Sequence, residues 1–372
     1  MYVQEEHLEY PSLTMFQLIE KSRREYPKEP AYEFQGKRTI YTDFVDKIEQ
    51  TARALYKEGI RQGDRVTICL PNIPQALICF YAINRIAAVA NMVHPLSARD
   101  EVSFYLNLSK SRLILTADMF CEKVEESLEK VDHPVKILVT RIQDELPAHL
   151  KLPYQLTQGK AYMKYPNTDH AVLWKDFLKQ GKLKKGEADF LPPVTFDKNR
   201  TAVILYSGGT SGIPKGICLS DFNMNACAMQ ARSAVGVRVG IGKTMLSCMP
   251  CFHGFGLGLN LHLPLIYGAC CILMPNFNFK EYTKMLLNKK PNYIAGVPTI
   301  FEALLHLEGL KEDSLYFLNG VFCGGDSLSV ELKKKVDTFL HEHGAKCQIR
   351  EGYGLTECVT ASCLTPRDTY RE

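Results

Sequence analysis

The sequence lacks a strong excess of charge of either sign and any long unbroken apolar run. Its 372 residues include 45 Lys and Arg against 41 Asp and Glu, a net charge of +4, which gives no reason to expect nucleic acid as a partner. The most apolar stretch, residues 73–93, is interrupted by Asn84, Arg85 and Asn91. This pattern predicts a buried helix followed by a strand, not a membrane span.

The N-terminal residues also lack the features that export requires. Residues 1–20 begin with acidic and aromatic side chains, without the basic start and apolar run of a secretory leader. The 13 cysteines are odd in number and scattered between Cys69 and Cys363. Free thiols in a reducing compartment fit this pattern, so we expect a cytoplasmic protein.

Short β-branched segments alternate with helical ones from Arg65 onward. Residues 66–70 and 113–115 are apolar strands, and a helical segment, residues 75–88, lies between them. This alternation predicts a parallel sheet covered by helices on both faces. This alternation of predicted strands and helices is absent between about residues 143 and 200 and begins again at Ala202.

Two such runs predict an α/β protein with two doubly wound, mainly parallel sheets packed with helices. The predicted parts are a first subdomain at 1–200, with an irregular connector at about 143–200, and a second subdomain at 201–372. The connector is rich in Lys, Pro and Tyr. Contact with a membrane surface is one interpretation of it, although a solvated loop is favoured.

Residues 206–216 read YSGGTSGIPKG; they follow an apolar strand and lead into a helix that starts near Ser220. Glycines let the backbone turn tightly and direct its N–H groups into one concavity, and hydroxyls and a lysine add donors and charge. The loop therefore predicts polyphosphate binding by Ser207, Gly208, Gly209, Thr210, Ser211, Gly212 and Lys215. It is not a Walker loop, because Pro214 precedes the lysine and Gly216 follows it. That spacing argues against a P-loop kinase or ATPase.

This segment resembles the phosphate loop of the adenylate-forming superfamily: acyl- and aryl-CoA ligases, adenylation domains of peptide synthetases, and beetle luciferases. It departs from the family pattern at Gly208, where a hydroxyl is usual, and at Ser211, where Thr is usual. Four further segments fit the family in the same order: LPN at 70–72, PCFHGFG at 250–256, GGDSL at 324–328 and EGYGLTE at 351–357. The resemblance is to the N-terminal domain, and most to a fatty acyl-CoA ligase.

The resemblance implies a role for each matching residue. Tyr353 would stack on adenine, Thr356 would donate to the α-phosphate, and Glu357 with Ser207 would hold Mg²⁺. His253 would border the acyl tunnel. The implied catalytic set is Lys215, His253, Thr356 and Glu357, and the implied nucleotide site adds Gly325, Asp326, Glu351, Gly352 and Tyr353 to the loop.

The implied reaction is activation of a carboxylic acid by ATP, with release of pyrophosphate and then thioester formation with CoA. The in-line attack on the α-phosphorus needs positioning and charge neutralisation more than a nucleophilic side chain. The resembling enzymes continue beyond the length of this chain with a small C-terminal domain. We therefore expect a C-terminally truncated fragment that binds ATP or an adenylate weakly and turns over poorly.

The residues around His253 indicate the chemical class of the acid substrate. Relatives that activate amino acids usually place an Asp near this motif, and residues 252–254 contain none, which favours an acid without an α-amine. Apolar residues nearby suit a fatty acyl chain, although they are also typical of packing: Phe255, Leu257, Leu259, Leu261, Val297, Ile300 and Phe322. An acid:carrier-protein ligase and a non-catalytic acyl-adenylate-binding protein stay open as alternatives.

Overall fold

The computed structural model describes residues 8–157, 171–208, 214–236 and 239–365. In these ranges the α-helices are α1 Met15–Glu25, α2 Tyr41–Lys57, α3 Pro74–Arg85, α4 Arg99–Ser109, α5 Cys121–Leu128, α6 Ala148–Leu156, α7 Trp174–Lys179, α8 Asp221–Val235, α9 Leu263–Ile266, α10 Phe279–Lys289, α11 Pro298–Leu304 and α12 Val330–Glu342. A π-helix spans Phe255–His262, and short 3₁₀ turns span Asp118–Phe120, Ile142–Asp144 and Thr356–Cys358.

The strands in the same ranges are β1 Pro30–Phe34, β2 Lys37–Ile40, β3 Arg65–Cys69, β4 Val89–Met92, β5 Leu113–Ala117, β6 Lys136–Thr140, β7 Ala171–Leu173, β8 Thr201–Ser207, β9 Lys215–Ser220, β10 Thr244–Ser247, β11 Cys270–Leu273, β12 Tyr293–Gly296, β13 Gly320–Gly324, β14 Ile349–Tyr353 and β15 Cys363–Leu364. They form two sheets. The first has the order β7-β6-β5-β3-β4-β8-β9, and the second has the order β15-β14-β13-β12-β10-β11-β1-β2.

Both sheets are mainly parallel, as the apolar strands predict. In the first sheet the only antiparallel pair among the described strands is β8 with β9. In the second, β1 with β2 and β14 with β15 are antiparallel. Central strands such as β5 and β11 are buried along their whole length, because helices cover both faces. The predicted fold class is confirmed.

Three elements differ from the sequence-based expectation. The connector contains α6, α7 and β7, which the aperiodic sequence does not indicate because each is short. The glycine-rich loop continues into β9 before α8 begins at Asp221. The boundary at residue 200 stays a prediction, but β8 and β9 lie in the same sheet as β3 to β7, and β1 with β2 joins the other sheet.

Helix α8 begins where the sequence places it. The Ser220 side chain caps it by accepting a hydrogen bond from the Asn223 backbone N–H at 3.2 Å. Within the described ranges, no helix is both long and apolar enough to cross a membrane.

A buried carboxylate fastens the start of α8 to distant parts of the chain. Asp221 has no exposed surface. Its Oδ1 accepts from the Met15 backbone N–H at 2.9 Å and from Asn84 Nδ2 at 2.7 Å. Its Oδ2 accepts from Arg200 Nη2 at 2.6 Å, and the Arg200 side chain is only 10% exposed. One side chain therefore joins α1, α3, α8 and the segment before β8.

A buried histidine links the π-helix to α3 and α8. The Tyr81 hydroxyl lies 3.0 Å from His262 Nδ1, and Asn225 Oδ1 lies 2.9 Å from His262 Nε2. Because Oδ1 can only accept, Nε2 carries the proton and the neutral ring accepts from Tyr81. Burial lowers the pKa of His262 from 6.5 to about 3.

This histidine makes folding stability depend on pH. In the unfolded chain His262 is protonated below about pH 6.5, whereas in the folded chain it stays neutral down to about pH 3. Acid therefore lowers the free energy of unfolding across that window. We expect wild-type protein to lose about 1.4 kcal/mol more per pH unit than His262→Gln between about pH 5.5 and pH 4. Urea unfolding of both proteins at several pH values measures this difference.

Comparing wild type with His262→Gln cancels the contributions of other titrating groups to the pH dependence of stability. Burial raises the pKa of Asp118 to about 6, which makes the folded state bind more protons and acts in the opposite direction. That contribution is present in both proteins and cancels in the difference. Parallel stability curves for wild type and His262→Gln would contradict the prediction.

Candidate nucleotide and acid site

The two ends of the glycine-rich loop lie side by side. Ser207 at the end of β8 is the cross-strand partner of Lys215 at the start of β9. Lys215 is exposed, and Gly208 has open space around its α-carbon. The predicted contacts Gly209, Thr210, Ser211 and Gly212 lie outside the described residues.

The hairpin is anchored below the loop. The Tyr206 hydroxyl donates to Asn91 Oδ1 on β4 at 2.7 Å. The ring of Tyr206 packs against Tyr105 on α4, with centroids 4.1 Å apart. Because β9 follows the loop, the N-terminus of α8 begins five residues beyond Gly216 and is separated from the loop by a strand. The helix N-terminus therefore does not adjoin the end of β8, and Lys215 is the cationic side chain at the start of β9.

The second motif folds onto this hairpin. The turn Thr356–Cys358 packs against both β8 and β9. Thr356 is half-buried and Glu357 is exposed. Two segments about 140 residues apart in sequence therefore meet at the β8–β9 hairpin.

Strand β14 places the adenine candidate next to this turn. Tyr353 ends the strand and is 62% exposed, so a face of its ring is accessible to a ligand. Gly352 pairs with Gly324 on β13 and with Leu364 on β15. The Glu351 carbonyl accepts from the Thr365 backbone N–H at 2.9 Å. The β13–β14 pair thus places two paired glycines, Gly324 and Gly352, next to an exposed ring.

The segment after β13 turns sharply at a glycine. Gly325 has φ +83°, a conformation that strains other residues. Asp326 is exposed, and its Oδ1 accepts from the Ser327 backbone N–H at 2.7 Å. Both predicted residues therefore lie at the carboxyl edge of the second sheet, beside Gly352.

Glycines hold the motif segments in contact with one another. A Cβ on Gly354 would lie far closer than 3.0 Å to the Thr360 carbonyl oxygen, and one on Gly254 would do the same with the Val359 carbonyl oxygen. The site residues predicted from the sequence include neither Gly254 nor Gly354. The signal for the latter is that glycines flank Tyr353 on both sides.

An apolar cavity of about 110 Å³ lies beside Gly325 and Gly352. Its walls come from the π-helix, α8, α9, strands β10 and β12 to β15, and the loops beside them. The lining residues are Ala231, Val239, Met245, Phe255, Leu259, Asn260, Leu263, Ala295, Phe322, Cys323, Gly324, Gly325, Gly352, Gly354, Thr360, Ala361 and Leu364. No acidic side chain is among these described lining residues.

Part of the predicted acyl lining is in this wall and part is not. Phe255, Leu259 and Phe322 line the cavity. The others pack elsewhere. Leu257 and Leu261 lie in the main core, Ile300 lies in the core of the second sheet, and Val297 packs against that same core. Periodicity alone did not separate the two groups.

His253 lies outside the cavity wall. Its ring centroid is 4.9 Å from that of Phe252, which in turn is 4.2 Å from His94. Although the side chain is exposed, the protein atoms around it lower the pKa of His253 below 6.5, and the neighbouring His94 lowers it further. This shift favours the neutral form of the His253 ring. The role of His253 beside the acid stays a prediction.

The described residues contain no ready-made metal cage. No group of three or more His, Cys, Asp or Glu in the described ranges could hold a metal ion. The predicted pair, Glu357 and Ser207, offers hard oxygen ligands of the kind that Mg²⁺ takes, and phosphate oxygens of a nucleotide would complete the shell. The donor set therefore fits a nucleotide-bound Mg²⁺.

The two mainly parallel sheets covered by helices define an α/β domain, and comparison with known proteins identifies its family. A sequence profile described as AMP-binding enzyme matches residues 19–372, and the chain belongs to that family. A long-chain-fatty-acid–CoA ligase of Bacillus subtilis is 30% identical over 354 residues, covering 94% of this chain. A probable 4-coumarate–CoA ligase 2 of Dictyostelium discoideum is 27% identical over 324 residues, which is 87% of this chain and 55% of that protein.

Solved structures share the fold. An anthranilate CoA ligase in complex with anthranoyl-AMP superposes with a TM-score of 0.80 at 18% identity, over 99% of this chain and 65% of that one. A long-chain-fatty-acid-CoA ligase from Archaeoglobus fulgidus gives 0.79 at 21% identity, over 98% and 68%. The chain spans 61% of the length of the Bacillus subtilis relative.

Proposed function

We propose that this chain binds ATP and a carboxylic acid and forms the acyl-adenylate, with pyrophosphate as the leaving group. The observation that carries the proposal is the meeting of the β8–β9 hairpin, the Thr356–Cys358 turn and exposed Tyr353 beside one apolar cavity. A phosphate site, an aromatic platform and an apolar pocket in contact are the parts that such a reaction needs.

Each residue of the proposed site has its own role in binding ATP and the acid. Tyr353 offers a face to adenine, and Ser207 and Lys215 bind the phosphates from the hairpin. Thr356 donates to the α-phosphate, while Gly325 and Gly352 let the acid approach the phosphorus without a side chain between them. Mg²⁺ held by Glu357 and the phosphates neutralises charge on the leaving group. The remaining loop residues, Asp326 and Glu351 stay proposed contacts.

The acid is proposed to be fatty. The cavity wall is apolar and has no carboxylate among its described residues that could pair with an α-amine. The name of the Bacillus subtilis relative, a long-chain-fatty-acid–CoA ligase, supports the same substrate class and CoA as the acceptor in the second half-reaction. All 13 cysteines are described and free, which supports a reducing compartment and the cytoplasm as the location.

Two alternative functions can be distinguished from this proposal by experiment. An acid:carrier-protein ligase would release the acyl group to a carrier protein and not to CoA. A non-catalytic adenylate-binding protein would bind the acyl-adenylate without exchanging pyrophosphate into ATP. All three candidate functions require adenylate binding. Thermal unfolding tests this binding, with Mg-ATP and with non-hydrolysable acyl-adenylate analogues of different chain length. Ligand at a hundred times its Kd adds about 2.7 kcal/mol to the free energy of unfolding.

Glu357→Gln tests the proposed metal contact. Glu357 is exposed, so we expect the unliganded unfolding midpoint to stay within error of wild type. The rise in midpoint that Mg-ATP produces should disappear, because the amide oxygen is a much weaker ligand for Mg²⁺ than the carboxylate. Differential scanning fluorimetry with ATP, with and without Mg²⁺, measures this.

The matched control is Glu308→Gln, which removes one exposed carboxylate from the segment after α11. It should retain the full Mg-ATP response. An equal response in both variants would remove Glu357 from the proposed site.

A further inference from the structure

The apolar cavity contains one amide side chain that does not match its surroundings. Asn260 lies in the wall, within the π-helix, and has no exposed surface. Among the described residues its Nδ2 has no hydrogen-bond partner. Apart from Thr360, no other described wall residue carries a hydroxyl or an amide side chain.

The orientation of the Asn260 amide is defined by its other atoms. Oδ1 accepts from the Met249 backbone N–H at 3.4 Å, and the Asn260 carbonyl accepts from Ser247 Oγ at 2.7 Å. With Oδ1 turned to the segment after β10, Nδ2 is the free end of the side chain. An unpaired donor in an apolar site is unfavourable, and native proteins rarely keep one without a use.

The backbone around Asn260 is also unusual. The π-helix Phe255–His262 is eight residues long, whereas such helices mostly occur as single turns at functional sites. Gly256 within it packs so tightly that a Cβ would overlap the Pro250 carbonyl oxygen. The helix is therefore held in register against the segment after β10, and this fixes the position of the Asn260 amide in the wall.

We propose that Asn260 Nδ2 donates a hydrogen bond to an oxygen atom carried by the acyl part of the substrate. The acid is then an oxygenated one, with an oxo, hydroxyl or related acceptor in the portion that enters the cavity, and Asn260 is a specificity-determining residue. This inference rests on the proposed function. A cationic group does not fit, because the described wall offers no carboxylate to pair with it.

The test uses pairs of non-hydrolysable acyl-adenylate analogues with this chain. In one series a single oxo group moves along the chain one carbon at a time; in the other a methylidene group occupies the same carbon. The two groups have similar shape, and only the first accepts a hydrogen bond. We expect one oxo position to bind about tenfold or more tightly than its methylidene partner, which corresponds to about one hydrogen bond.

Two variants assign that preference. Asn260→Leu keeps the branching at Cγ and removes the donor, so the oxo-to-methylidene affinity ratio should fall to about one. Thr360→Val removes the other hydroxyl of the wall. Loss of the preference in Thr360→Val and not in Asn260→Leu would overturn the assignment.

The wild-type comparison stands even where a variant does not fold. Equal affinity of the oxo and methylidene analogues at every position would overturn the inference and indicate that Nδ2 holds only a water molecule. That outcome leaves the proposed function intact, because the analogues still bind. Failure of every adenylate and of Mg-ATP to bind folded protein would overturn the proposed function, and the inference with it.

Discussion

We expect Gly354→Ala to abolish the stabilisation of this chain by acyl-adenylate analogues. A Cβ at this position would overlap the Thr360 carbonyl group and lie 3.0 Å from the Ala361 backbone nitrogen. Both obstacles are backbone atoms, so no rotamer change relieves the contact. The segment that carries Thr356 and Glu357 must move away from Tyr353, and the three parts of the proposed site no longer meet.

The same substitution should also lower stability without ligand. Forcing an extra methyl group into a packed contact costs about 1–3 kcal/mol, and more where the neighbours cannot yield. Thermal unfolding with and without an adenylate analogue measures both effects, and circular dichroism at low temperature verifies that the variant is folded. The control is Gly240→Ala, where the nearest atom to the new methyl group lies at 3.4 Å. If both variants keep the full ligand response, the tight contact at Gly354 does not support the site.

We expect Asp221→Ala to destabilise the fold more than the loss of any surface charge. The substitution removes three hydrogen bonds and leaves Arg200, 10% exposed, without its carboxylate partner. Breaking a buried ion pair from one side costs about 3–5 kcal/mol, because the remaining charge stays away from water. The measurement is the free energy of unfolding in urea.

A matched control separates burial from charge. Asp100 pairs with Lys130 at 2.7 Å, but their side chains are 67% and 52% exposed. Asp100→Ala should leave the urea midpoint close to that of wild type, since exposed ion pairs contribute little. Similar losses in the two variants would show that the Asp221 network does not hold α1 and α3 to α8.

The expected ligand effects of Gly354→Ala and stability effects of Asp221→Ala differ in kind. Asp221 lies in the interior, and its loss acts on the whole fold. Gly354 lies in a loop beside the cavity, and its substitution acts first on the relative placement of two motifs. A ligand response that survives in folded Asp221→Ala and vanishes in Gly354→Ala would assign the site to the contact between the motif segments.

Local sequence determined much of this protein. Apolar β-branched runs such as 66–70 and 113–115 predict β3 and β5 because a strand buried on both faces needs a continuous apolar stretch. Ser220 predicts the start of α8 because its side chain satisfies a free backbone N–H. The glycine-rich loop and the segment around Tyr353 are recognisable because phosphate binding and close backbone approach limit the residues that can serve.

Other features were decided only by the tertiary structure. Strand β9 exists because β8 offers it a partner, and α6, α7 and β7 are too short to show a period. Leu257 and Leu259 look alike in sequence, yet one packs in the core and the other lines the cavity. In the sequence, nothing distinguishes Asn260 and Asp221 from other polar residues; only the fold shows that they are buried. A residue's type is local, whereas its burial and partners depend on segments hundreds of positions away, so contacts and unpaired groups emerge only when the chain has folded.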